Sequence, residues 1–162
     1  MREAIGGTWI TQLVIVFMLI FVAFLALSLN YTKAFKVRNQ LMTIIEQQEG
    51  VTSGDDGSIA LMNNYLKGNG YGVMRTCALD SYGVTNLNSS AIELVTNDKK
   101  KYYYCIRKIE APSSNHEGKV YYKVNMFFHF NLPVLGDIFT FSVNGSTGDI
   151  VNPADRLIAK EE

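Results

Sequence analysis

The chain has 162 residues, of which 15 are basic and 15 acidic, so it carries no formal net charge at neutral pH. A neutral chain lacks the long-range positive field that attracts nucleic acid, so we expect no nucleic-acid partner. The charges are unevenly placed, because no Asp, Glu, Lys, Arg or His occurs from Ala4 to Thr32.

This uncharged stretch predicts a transmembrane helix at 8–30 that follows a short leader at 1–7. Trp9–Leu29 is almost wholly Ile, Val, Leu, Phe, Met and Ala, and about 21 helical residues cross a hydrocarbon core roughly 30 Å thick. A cleaved signal peptide is the alternative, with a small-residue cleavage site at Ala26-Leu27-Ser28. The apolar run is longer than the core of about 7–15 residues that signal peptides use, which favours the membrane anchor.

The orientation of this helix follows from its flanks and from the cysteines. Lys33, Lys36 and Arg38 follow the apolar run, and the positive-inside rule taken literally would place the large domain in the cytoplasm. We expect the opposite, because a leader of this length is too short to form a translocated domain, whereas long C-terminal domains cross largely regardless of charge. Cys77 and Cys105 would form a disulfide in an oxidising compartment, and two buried free thiols are the alternative.

An amphipathic extension at 31–49 continues the helix beyond the membrane. Its apolar side chains keep a spacing of about 3.6 residues, and no Gly or Pro occurs from Thr8 to Glu49. The pattern predicts one helix of about 42 residues that Gly50 ends as the C′ residue. Ser58 is then predicted to cap a short helix over Ile59–Lys67. The apolar positions of the extension are Ala34, Val37, Leu41, Ile44 and Ile45, with Gln48 at its end.

The remainder, 50–162, is predicted to form a globular β-rich domain. Lys119–Asn131 carries the clearest signal, because apolar and polar residues alternate along it. We expect an α+β fold in which the long helix packs on a small antiparallel sheet. The predicted strands are Val73–Leu79, Ala91–Val95, Lys101–Ile109, Lys119–Asn131 and Ile138–Val143.

No catalytic, cofactor or metal site is predicted, and we expect the protein not to be an enzyme. His116 lies in a polar loop and His129 in a strand, and neither has Cys, Asp or Glu at metal-ligand spacing. Tyr103, Tyr121 and Phe127 fall on the nominally polar faces of strands. They would form a partner-binding patch if that face is exposed, or part of the core if it is covered.

A leader that ends in Gly6-Gly7, followed by an apolar helix that continues into a small antiparallel β domain, resembles the type IV pilins. More narrowly it resembles the TadE-like pseudopilins of tight-adherence pili. The resemblance implies cleavage by a prepilin peptidase after Gly7, which places Gln12 where the family has a glutamate at the fifth mature position. Gln12 can form hydrogen bonds, but it cannot neutralise the α-amino group of a neighbouring subunit.

The resemblance implies a pilin-like minor subunit or assembly component of a bacterial cell-surface filament. Its partners would be the membrane and other pilin-like subunits or pilus assembly proteins. The second hypothesis is a membrane-tethered extracytoplasmic domain that binds or senses a ligand.

Overall fold

The computed structural model describes residues 2–110, 119–132, 136–151 and 153, and among them the side chains of 7–110, 119–129, 140–151 and 153. Helix α1 covers Arg2–Gln47, which is 46 residues and so about 70 Å. It begins before the predicted Thr8, because helical glycines such as Gly6 and Gly7 cost only about 1 kcal/mol each within a helix that propagates cooperatively.

The second half of α1 buries its apolar face, as the spacing predicted. Ala34, Val37, Leu41 and Ile45 are at most 2% exposed, and Ile44 is also buried. Lys33, Lys36, Asn39 and Gln40 lie on the exposed side. The amphipathic extension is therefore the part of α1 that joins the domain core.

The C-terminus of α1 differs from the prediction by one residue. The amide of Glu49 donates to the carbonyl of Glu46 and that of Gly50 to Ile45, the bonding pattern of a Schellman motif. Glu49, with φ 53°, is thus the left-handed C′ residue, and Gly50 follows it as C″. The glycine is still required, since its own φ is 143°.

Helix α2, Ser58–Gly68, lies on the same side of the sheet as α1, but Ser58 does not cap it as predicted. Gly57 is the N-cap residue, and no side chain caps the helix there. The Ser58 hydroxyl instead accepts from the amide of Thr52, while the amide of Ser58 donates to the Thr52 hydroxyl, both at 2.9 Å. This reciprocal pair draws the chain so close that a Cβ on Gly57 would lie 2.5 Å from the Thr52 carbonyl oxygen.

Within the described residues, eight strands form two antiparallel sheets. In the larger sheet the order is β3-β2-β5-β6-β7, with β8 paired to β6, and the smaller sheet joins β1 to β4. The strands are β1 Arg75–Thr76, β2 Tyr82–Val84, β3 Glu93–Leu94, β4 Lys101–Tyr102, β5 Tyr104–Glu110, β6 Lys119–Leu132, β7 Gly136–Ser146 and β8 Ile150–Val151.

The α+β fold is confirmed, with several differences in the strands. The predicted Val73–Leu79 shortens to β1, and Lys101–Ile109 divides into β4 and β5 at Tyr103, whose amide donates to the carbonyl of Val84. Strands β2 and β8 have only three and two residues, too short for a periodic signal. His116, the turn at 133–135 and the charged tail from 154 lie outside the described residues.

The larger sheet carries an apolar cluster on each face, although the face opposite α1 is only partly covered. On one face Tyr122, Val124 and Met126 pack with α1 and α2 in the main core. On the other, Phe127 belongs to a second cluster with Tyr102, Val95 and the two cysteines, beneath the small β1–β4 sheet. Phe127 is therefore core, whereas Tyr103 and Tyr121 are half-buried.

A disulfide links this small second layer to the larger sheet. Cys77 and Cys105 are bonded, with their Cα atoms 5.8 Å apart, so the two cysteines are not free thiols. Nearby, Gly83 lets the Tyr102 ring pack directly on the sheet, since a Cβ there would lie 2.2 Å from a ring carbon.

Loss of the disulfide should destabilise the domain by about 3 kcal/mol, because the bond closes a loop between residues separated by 28 positions. We expect the full-length chain in detergent micelles to unfold at a lower urea concentration with the substitutions Cys77→Ser and Cys105→Ser combined. Treatment with a reductant should move the wild type, but not the variant, to the same lower midpoint. Equal midpoints for oxidised and reduced wild type would contradict this assignment.

Candidate functional site

The first half of α1 projects from the domain without a covering element. We call Gly7–Asn30 the uncovered segment, because every side chain from 7 to 22 is exposed. Trp9 is 71% exposed and Phe17 64%. Monomeric soluble proteins rarely expose so large a contiguous apolar surface. The helix is long and apolar enough to cross a membrane.

Two threonine hydroxyls at the ends of this segment are satisfied by the helix itself. The Thr11 hydroxyl donates to the carbonyl of Gly7 and the Thr32 hydroxyl to that of Ser28, each at 2.9 Å. Such bonds to the preceding turn let hydroxyl side chains enter an apolar medium at low cost. These threonines are therefore compatible with lipid.

Gly7 and Gln12, the two positions that the sequence singled out, lie on this segment. Gly7 is helical, and a Cβ there would have no heavy atom within 4 Å. The bond after Gly7 is thus inside α1 and not at the end of an extended leader. Gln12 is exposed, and within the described part of the chain its side-chain amide forms no hydrogen bond. This side chain is therefore open to a partner helix or a lipid headgroup.

Aromatic rings mark the point where the uncovered segment meets the domain. The Tyr31 ring lies 4.8 Å from the Phe35 ring and 6.3 Å from the Phe141 ring, measured between centroids. Phe141 in turn stacks on Phe128 at 5.6 Å. Sequence periodicity placed Phe141 in a strand, but no sequence signal paired it with the helix.

Farther along, α1 approaches the sheet closely enough to favour a glycine. A Cβ on Gly145 would lie 2.9 Å from Nε of Arg38 and 3.0 Å from Sδ of Met42. The amide of Gly148 donates to Glu46 Oε1 at 2.8 Å. These contacts on the last strands, with Tyr31 on Phe141, hold α1 along the length of the domain, so the uncovered segment extends from a fixed base.

A hydrogen-bond network inside the domain joins α2 to the sheet. The Tyr104 hydroxyl donates to the amide oxygen of Asn63 at 2.9 Å, and the Asn63 amide nitrogen donates to the Ser89 carbonyl at 2.8 Å. Complete burial raises the pKa of Tyr104, so its hydroxyl stays protonated. This bond fixes α2 on the sheet and offers no reactive group.

One exposed ion pair, Lys100 with Glu93, shifts the pKa values of both of its groups. The hydrogen bond from Lys100 lowers the pKa of Glu93 and raises that of Lys100, but both side chains are solvent-exposed and the pair contributes little to stability. His129 is exposed on its strand. Among the residues described, no group of three or more His, Cys, Asp or Glu side chains comes together in a way that could hold a metal ion.

Comparisons with protein-family models, with curated proteins and with solved structures found no match to this chain. Its class is therefore defined by the fold itself: an α+β domain built on the second half of one long helix, whose apolar first half it leaves uncovered.

The close contact at Gly145 allows a test of how tightly α1 packs on the sheet. Gly145→Ala should lower the free energy of unfolding by about 1–3 kcal/mol, because Arg38 and Met42 must move to admit the methyl group. Gly148→Ala is the matched control, since its Cβ would meet Glu46 at an ordinary 3.8 Å and the donating amide is kept. Urea unfolding of the full-length variants in micelles measures both, and equal effects would contradict the tight contact.

Proposed function

We propose that this chain is a single-pass membrane protein that acts as a pilin-like minor subunit or assembly component of a bacterial cell-surface filament. The observation that carries the proposal is the division of α1 into an uncovered apolar half and a half that forms the core of the domain. The globular domain lies on the outer side of the membrane.

The physical basis is that a helix apolar on every side needs an apolar environment on every side. Lipid provides one, and a bundle of similar helices provides another. A subunit could thus leave the membrane for the centre of a filament and still keep Trp9, Phe17 and their neighbours out of water. Because contacts from Tyr31 to Glu46 hold α1 on the sheet, the domain would move with the helix as one body.

The disulfide supports the outward orientation of the domain. Disulfides persist in oxidising compartments and are rare in the cytosol, where thiols are kept reduced. The Cys77–Cys105 bond lies in the domain, and an extracytoplasmic location would preserve it.

A tethered domain that binds or senses a ligand is the second candidate function. It is favoured by an open depression on the face of the larger sheet opposite α1, which Arg107 and Lys123 line. Ligand binding and filament assembly would use separate surfaces of the molecule.

The orientation predicts which positions an impermeant reagent can reach. A cysteine introduced at Asp98, an exposed loop position, should react with a membrane-impermeant thiol label in intact, wall-stripped cells. In cells that lack a prepilin peptidase, and so keep residues 1–7, a cysteine at Glu3 should react only after lysis. Mass spectrometry of the purified chain reads both positions. The reverse pattern would place the domain in the cytoplasm and would contradict the filament proposal.

Association through the uncovered segment predicts a role for Gln12. Gln12→Leu should weaken helix–helix association by about 1 kcal/mol, or roughly fivefold, because hydrogen bonds between helices in an apolar medium are worth about that much. Thr11→Val is the matched control, since the Thr11 hydroxyl already bonds to the carbonyl of Gly7. Energy transfer between labelled full-length chains in lipid vesicles measures the association of both variants.

Two further results decide between the candidate functions. Intact mass should show loss of residues 1–7 in cells that hold a prepilin peptidase, and Gly7→Leu should block that loss without affecting membrane insertion. An uncut chain that neither self-associates nor co-purifies with pilus assembly proteins would favour the tethered binding domain instead.

A further inference from the structure

The face of the larger sheet opposite α1 contains an open depression of about 290 Å³, which we call the basic depression. It lies beside the disulfide, where the small β1–β4 layer ends and leaves the larger sheet uncovered. Its volume is near the lower end for small-molecule sites. The lining side chains used below are Ser81, Cys105, Arg107, Lys123, Asn125 and Asn144.

Two adjacent rows of cross-strand partners form the floor of the basic depression. Arg107 on β5 lies directly opposite Lys123 on β6. In the next row, Asn125 on β6 lies between Cys105 on β5 and Asn144 on β7. Because the rows are two residues apart, their side chains point to the same face of the sheet.

The first row has an unfavourable charge arrangement. Like charges placed directly across two strands destabilise a sheet, and the side chains of Arg107 and Lys123 are both exposed. Within the described ranges neither forms an ion pair, and the Lys123 ammonium instead lies 5.8 Å from the Tyr121 ring. Asp80 lies in the neighbouring turn but does not line the depression. A bound anion would offset this repulsion.

Beside the second row lie hydrogen-bond acceptors, which an anion that has no hydrogen to donate would leave unpaired. The amide oxygen of Asn125 is buried and has no hydrogen-bond partner in the described part of the chain, and an unpaired buried acceptor is costly. A ligand hydroxyl could satisfy it after a small rotation of the side chain. The Ser81 hydroxyl donates to the Ala78 carbonyl, so its oxygen can still accept.

We propose that the basic depression binds an acidic saccharide, a sugar that carries a carboxylate or phosphate group beside its hydroxyls. The Arg107 guanidinium binds the anionic group through two parallel hydrogen bonds, and the Lys123 ammonium adds a second positive charge. Asn125 and Asn144 bind the neighbouring hydroxyls. The disulfide fixes Cys105 of the floor to Cys77, close to the wall that carries Ser81.

This site does not depend on filament assembly, since it lies on the domain and not on the uncovered segment. Its test therefore fails or succeeds separately from that of the proposed function. Calorimetric titration of the oxidised full-length chain in micelles measures binding of a glucuronate disaccharide, glucose 6-phosphate, a neutral disaccharide, inorganic phosphate and a penta-glutamate peptide.

We expect one or both acidic sugars to bind at least tenfold more tightly than the neutral sugar, inorganic phosphate and the peptide. Arg107→Gln and Lys123→Gln should each weaken binding about tenfold, while Lys67→Gln, an exposed cation on α2, should leave it unchanged. Asn125→Ala should reduce the preference for an acidic sugar over inorganic phosphate. Urea midpoints no lower than that of the wild type would show that each variant is folded.

Three results would overturn the proposal. The first is no binding of either acidic sugar at millimolar concentration. The second is equal affinity for a control ligand. Equal affinity for the neutral sugar would show that the charges play no role, and equal affinity for phosphate or the peptide would show that the saccharide part is not recognised. The third is binding that Arg107→Gln and Lys123→Gln leave intact, which would place the sugar elsewhere on the domain.

Discussion

The packing of the second half of α1 against the larger sheet is the interaction on which the rest of this molecule depends. Val37, Leu41 and Ile45 are at most 2% exposed against that sheet and α2, and deletion of a buried aliphatic side chain commonly destabilises a domain by about 2–5 kcal/mol. The same helix cannot be withdrawn from the domain without opening its core. The direction of the uncovered segment is therefore fixed by the fold of the domain.

That dependence explains why glycines and aromatic residues lie where they do along the contact. Gly145 admits Arg38 and Met42 at close range, whereas the rings of Tyr31 and Phe141 meet nearer the uncovered segment. The contact between helix and sheet thus combines a close approach at Gly145 with ring packing at Tyr31 and Phe141. The base of the helix is thus rigid over several turns.

The opposite face of the sheet is organised differently. A small second layer, linked to the larger sheet by the Cys77–Cys105 bond, packs its Tyr102 in one cluster with Phe127 but leaves Arg107 and Lys123 exposed. Short strands with few apolar contacts are weak by themselves, so the covalent bond replaces part of the stability that a larger layer would provide. The exposed part of this face is therefore open to solvent, on the side of the sheet opposite α1.

Residue patterns alone predicted the elements whose signals are local and long. The uncharged apolar run and the 3.6-residue stripe from Ala34 to Ile45 predicted α1, and strict alternation predicted β6. Shorter elements were missed because two or three residues carry no period, as in β2 and β8. The capping role expected of Ser58 was wrong, because its hydroxyl bonds to Thr52 across the turn instead.

The candidate sites divide in the same way. The sequence was enough to find the apolar span with Gly7 and Gln12, because a membrane or a bundle of helices contacts residues that are continuous along one helix. The basic depression could not, since Arg107, Lys123, Asn125 and Asn144 belong to three strands and meet only through their register. The amino-acid sequence by itself determined that the first half of α1 is stable only in an apolar environment. Only the tertiary structure decided which charges face each other, because strand pairing joins residues that the chain keeps far apart.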